Sequence, residues 1–187
     1  MTEHAPSSQS RLRPIVWSAA TILWLTPLVA MQFTTEVGWS VMDFVLFGVM
    51  LLAACGAFEI AMRSSTNLAY RAGAALAIAS GFFMVWSNLA VGIIGDEGNP
   101  ANLMYFGVLG IGFLGAIHAR FEARGLARTL YLMVGALAVI AGIALLGGIG
   151  DPITRPAEVL ALTGLFMVLF GGAAGLFRNA ANDTRHT

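Results

Sequence analysis

Six apolar stretches, at about 15 to 33, 41 to 62, 72 to 94, 101 to 119, 129 to 149 and 157 to 177, each approach the roughly 20 residues a helix needs to cross a bilayer. The segments between them are short and polar or contain Gly and Pro, which leaves no room for a soluble domain. With 58% hydrophobic and 11% charged residues, the chain has more apolar side chain than one soluble core of this size hides. The expected fold is all-α: a polytopic membrane helix bundle of six transmembrane helices arranged as three hairpins. Residues 14–177 form the membrane domain, between polar tails at 1–13 and 178–187.

The charges divide by position. All ten basic residues are arginines, and Arg11, Arg13, Arg63, Arg71, Arg120, Arg124, Arg128, Arg178 and Arg185 fall on one side of the six-span scheme, with only Arg155 on the other. The positive-inside rule then puts both termini in the cytoplasm, and the loops with Glu36, with Asp96 and Glu97, and with Asp151 outside. A zero net charge gives no basic balance for nucleic acid. Arg11 and Arg13 ahead of an apolar run also describe a signal-peptide start. However, residues 15–33 exceed a signal core and lack a small-x-small exit before Gln32, so the run is read as a retained first helix.

The chain reads either as a weak internal repeat of about 57 to 61 residues or as the chance recurrence of Gly and Ala common in membrane helices. Asp43-Phe44-Val45-Leu46-Phe47-Gly48-Val49 lies on Asn102-Leu103-Met104-Tyr105-Phe106-Gly107-Val108, and Gly56-Ala57 on Gly115-Ala116. The even helices also start alike: Ser40-Val41-Met42-Asp43, Asn99-Pro100-Ala101-Asn102 and Arg155-Pro156-Ala157-Glu158 each place a polar group at the third helical position. Ser40 and Asn99 are good caps. Asp43, Asn102 and Glu158 are placed to compensate the exposed N–H groups and positive dipole ends.

These polar groups define an outer candidate site of Gln32, Glu36, Asp43, Asn88, Asn99 and Asn102. At 1.5 Å per residue, Asn88 lies about 9 Å below the Ile94 end of its run and Asp43 about 6 Å below Trp39, so both reach similar depth. Polar side chains there are expensive unless paired, which suits a site for a cation, proton or small polar ligand. The structural alternative is that Asp43 caps its helix and Asn88 bridges neighbouring helices. An inner candidate is Glu59, His118 and Arg120. Glu59 precedes Arg63 by four residues, the spacing of a charge pair on one helix face, and His118 lies near a helix end.

Several chemistries lack their residues. With no lysine there is no Schiff-base retinal site; His4 and His186 sit in the tails, so paired haem ligation is not available; and there is no Glu-x-x-His pair for di-iron chemistry. Gly110-Ile111-Gly112-Phe113-Leu114-Gly115 matches Gly-x-Gly-x-x-Gly but falls inside a membrane run rather than after a strand. Cys55 is the only cysteine and reads as packing. The sequence thus calls for no cofactor and no metal, and supplies no nucleophile–base set for an enzyme. Gly48, Gly56, Gly107, Gly115, Gly164, Gly171 and Gly175 instead let helices approach closely, and Gly171-Gly172-Ala173-Ala174-Gly175 has the Gly-x-x-x-Gly spacing of a packing face. Such a face closes the bundle or binds a partner protein or a second copy.

Asn88-Leu89-Ala90-Val91-Gly92-Ile93-Ile94-Gly95, followed by Asn99-Pro100-Ala101-Asn102-Leu103-Met104-Tyr105, resembles an uncharacterised family of small bacterial multi-pass membrane proteins. The resemblance covers about residues 24 to 130. It implies residence in the bacterial inner membrane and brings no catalytic residues. The expected function is a non-enzymatic accessory or interaction subunit of a membrane complex. The alternative is a small channel or transporter with an acidic outer mouth that selects through Asp43 and Asn88.

Overall fold

The computed structural model describes residues 8–147 and 156–183. They form six helices: α1 (Ser8–Ala30), α2 (Val41–Ser64), α3 (Leu68–Ala90), α4 (Leu103–His118), α5 (Ala123–Gly147) and α6 (Pro156–Asp183). A single 3-10 turn, Pro100–Asn102, leads into α4, and no strand occurs among the described residues. Each of the six, α4 taken together with its 3-10 turn as Pro100–His118, has the length and hydropathy to cross a membrane. Helices answer the bilayer's main demand, since each one satisfies its own backbone N–H and C=O groups without water. The segment with Asp151 and Arg155 lies outside the described residues.

Boundaries depart from the apolar runs where polar chemistry intervenes. Asn67 starts α3 at Leu68 rather than residue 72, because its side chain accepts the Tyr70 N–H at 3.0 Å, an N-cap bond. The same helix stops at Ala90 rather than 94. Gly92 has φ +72°, which favours glycine, and a Cβ there would run into the Asp96 backbone, so the chain turns back where there is no room for a side chain. Asn88 therefore lies in the last turn of α3, about 3 Å from its end rather than 9 Å below it. Beyond residue 177, α6 continues through Asp183.

The chain divides into two compact units, Met1–Arg63 and Ser64–Thr187. In the first, α1 and α2 run antiparallel. At one end Arg13 of α1 and Arg63 of α2 both meet Glu59. Further along, Trp24 Nε1 donates to the Phe44 carbonyl at 2.9 Å, and a Cβ on Gly48 would lie 3.0 Å from that indole nitrogen. Trp39 stacks edge-on against Phe44 and Phe47.

In the second unit α6 packs between α3 and α5, and α4 lies against α5. α3 therefore makes its main contact with α6, although its chain neighbour is α4. Met84, Leu137, Phe166 and Phe170 are buried at the centre, and Tyr70 meets Phe177 edge-to-face at 5.0 Å. Lipid tails are as apolar as leucine, so close packing and a few polar links hold such a bundle rather than water exclusion. At Gly73 a Cβ would sit 3.2 Å from the Ala173 carbonyl, and at Gly115 it would collide with Thr129. One polar link is fully buried: Tyr105 and Thr163 share a hydrogen bond of 2.7 Å.

Candidate functional site

The outer candidate residues fall in two groups. Gln32, Glu36 and Asp43 belong to the first unit, and Asn88, Asn99 and Asn102 to the second. All three members of the first group are exposed. Gln32 Nε2 reaches back to the Leu28 carbonyl at 3.5 Å, and the Glu36 N–H donates to Thr34 Oγ1 at 3.1 Å. Asp43 Oδ2 accepts from both the Ser40 N–H, at 2.7 Å, and the Ser40 hydroxyl, at 2.8 Å. In return, the Asp43 N–H donates to Ser40 Oγ at 3.3 Å. This is a reciprocal capping box, and the Ser40/Asp43 spacing in the sequence foretold it.

In the second unit Asn102 does something its sequence position did not announce. Rather than capping α4, its side chain holds the loop before it. Oδ1 accepts the N–H groups of Ile93 and Ile94, at 3.0 and 2.9 Å. Nδ2 donates to the carbonyls of Ile94 and Asp96, at 3.3 and 2.7 Å. All the hydrogen-bonding capacity of the amide is used. Ile93 and Ile94 are thereby folded back and buried instead of lengthening α3. Asn99 supports the same turn by accepting the Ala101 N–H at 2.9 Å.

Asn88 differs. It is buried, its Nδ2 donates to the Met84 carbonyl one turn back at 2.9 Å, and its Oδ1 has no partner. Exchanging the two amide atoms would only set one carbonyl oxygen against another. Among the described residues no hydrogen bond carries Asn88 to another helix, so the bridging expected of it is not made that way.

The inner candidates separate in the same way. Glu59, in the first unit, pairs with Arg63 at 2.5 Å and also with Arg13. The i, i+4 spacing foretold the Arg63 contact; the link to Arg13, 46 residues earlier, requires the hairpin. His118 and Arg120, in the second unit, are exposed at the α4–α5 turn. There Arg120 and Phe121 adopt φ of 49° and 60°. Two consecutive non-glycine residues in the left-handed region cost about 1–3 kcal/mol each. The Tyr70 hydroxyl donates to the Phe121 carbonyl at 2.8 Å and helps hold them there. No spacing rule pairs Tyr70 with Phe121; only the positions of both near span ends hint at it.

Bonds at the two ends of the second unit fix its direction. Tyr70 to Phe121, together with Asn67 Nδ2 to Asp183 Oδ2 at 3.1 Å, joins the start of α3, the α4–α5 turn and the end of α6. Arg71, Arg120, Arg124, Arg128 and Arg178 accordingly collect toward that end. Asp96 and Glu97 lie in the loop at the other end, beyond the C-terminus of α3. The Gly-x-Gly-x-x-Gly stretch lies wholly within α4, with no strand before it. Among the described residues, no three His, Cys, Asp or Glu side chains come together as a metal site.

Six apolar helices with this arrangement define a multi-pass helical membrane protein. No family model, curated protein or solved structure matches the chain.

Proposed function

We propose that this protein is a non-enzymatic accessory subunit of a bacterial inner-membrane complex, with its arginine-marked ends in the cytoplasm, and that α6 offers the docking face. The observation that carries this reading is the outward side of α6. Gly164, Gly171 and Gly175 lie seven and four residues apart on one face, and beyond the adjacent backbone of α6 itself no described atom of the second unit lies within 4 Å of a Cβ built on any of them. Glycine is an unfavourable helix residue, by about 1 kcal/mol relative to alanine in water. Gly73 and Gly115 compensate by close contact within the unit, whereas these three gain nothing there. Close approach of a helix from another chain supplies the missing contact.

The engagement of Asp43 by Ser40 also favours a subunit over selection of ions through that carboxylate. The test is gentle extraction from native membranes followed by mass spectrometry. A stoichiometric second chain is expected, and Gly171→Leu with Gly175→Leu should abolish its recovery. A solitary monomer, or association only with copies of itself, would contradict the proposal.

A further inference from the structure

The arginine-marked end of the second unit contains an open cavity of about 570 Å³ that the subunit reading does not use. Its volume falls within the range of small-molecule sites, about 300–1,000 Å³. Its wall is built from the starts of α3 and α5, the α4–α5 turn and the end of α6. Arg120 and Arg124 line it, and neither makes an ion pair among the described residues. Ser65 contributes a hydroxyl and Asn67 an amide. Glu122 is the one acidic side chain in the lining and is exposed, while nearby Asp183 already accepts from Asn67.

Ala123 and Arg124 begin α5, so their N–H groups have no acceptor in the helix's own ladder and face the positive end of its dipole. The strained Arg120–Phe121 turn, pinned by Tyr70, fixes where the Arg120 backbone enters the cavity. The spans that begin at Leu68 and Ala123 and end at His118 and Asp183 all terminate here, so helices of this length crossing a bilayer would bring the cavity to the lipid headgroups.

We propose that this cavity binds a phosphate group, with Arg120 and Arg124 as its cationic ligands and Tyr70 as a positioning residue. Guanidinium forks match phosphate oxygens in geometry and charge. At this depth the phosphate is carried by an anionic phospholipid headgroup or arrives as a free phosphate from water, and both present the same oxygens.

The experiment uses the full chain purified in mild detergent, titrated with phosphatidylglycerol or phosphatidylcholine and read by native mass spectrometry. Phosphatidylglycerol should bind in preference to phosphatidylcholine. Arg120→Gln with Arg124→Gln should weaken it about thirtyfold, about fivefold for each arginine near a membrane surface. Tyr70→Phe, which changes no charge, should weaken it about fivefold by releasing the turn. Arg178→Gln, outside the cavity lining, should leave it unchanged. Displacement of the lipid by excess inorganic phosphate supports the site with the free anion as its source, and resistance to displacement supports it with the lipid as its source. Wild-type affinity in the double variant, equal loss in Arg178→Gln, or no preference over phosphatidylcholine together with no displacement by inorganic phosphate would overturn the proposal.

Discussion

Replacing Asn102 with alanine tests how the α3–α4 turn is held. The substitution removes two accepted and two donated hydrogen bonds, from 2.7 to 3.3 Å long. At a net contribution of about 1 kcal/mol each, roughly 3–4 kcal/mol is lost. Ile93 and Ile94 are 4% and 1% exposed, so their N–H groups have little access to replacement water, which moves the expected loss toward about 5 kcal/mol. Asn102→Asp keeps the acceptor for both N–H groups but sets a carboxylate against two carbonyls, and should also destabilise. Asn99→Ala removes a single capping bond and should cost only about 1 kcal/mol. Unfolding of the purified protein in mixed micelles with increasing sodium dodecyl sulfate would rank the three. Amide hydrogen exchange at Ile93 and Ile94 would localise the effect. A wild-type midpoint for Asn102→Ala, with both amides still protected, would show that Asn102 does not hold the turn.

Other substitutions separate structural from functional polarity. Asn88→Leu removes a buried oxygen with no partner, and Met84 O keeps its helical bond, so the unfolding midpoint should stay within about 1 kcal/mol of wild type or rise. Tyr105→Phe breaks the buried link to Thr163 and should cost about 1 kcal/mol in the same assay. Gly115→Val places side-chain atoms against Thr129 and should destabilise by about 1–3 kcal/mol or more, whereas Gly171→Ala should be tolerated by the isolated protein. Glu59→Gln should leave the unfolding midpoint close to that of wild type, because Arg13 and Arg63 are more than half exposed and solvent screens both pairs.

The apolar runs made the six helices legible because hydropathy and length are properties of single segments. The Ser40/Asp43 capping box and the Glu59/Arg63 pair were legible for the same reason, each spanning three or four residues. The bonds from Asn102 to residues 93–96 were not, because an asparagine at a helix start looks the same whether it caps the helix ahead or ties the loop behind. Asn67 caps α3 at Leu68, ahead of the apolar run that starts at 72, because Arg71 interrupts the hydropathy without interrupting the helix. Tyr105 with Thr163, and Tyr70 with Phe121, join residues more than 50 positions apart, and no local rule selects those partners. The same limit applies to helix pairing: chain order suggests α3 with α4, but Gly73 lets α6 approach α3.

If the helices carry the chain from one side of a membrane to the other, the two ends of the second unit face opposite compartments. The most direct measurement is labelling by a membrane-impermeant maleimide of Glu97→Cys and Glu122→Cys, each in a Cys55→Ala background, in sealed vesicles of both orientations. α3 alone separates the two ends of the second unit by about 34 Å. Glu97→Cys should label only from one face and Glu122→Cys only from the other, the face that also bears Arg120 and Arg124. Labelling of both positions from the same face would contradict the six-span arrangement.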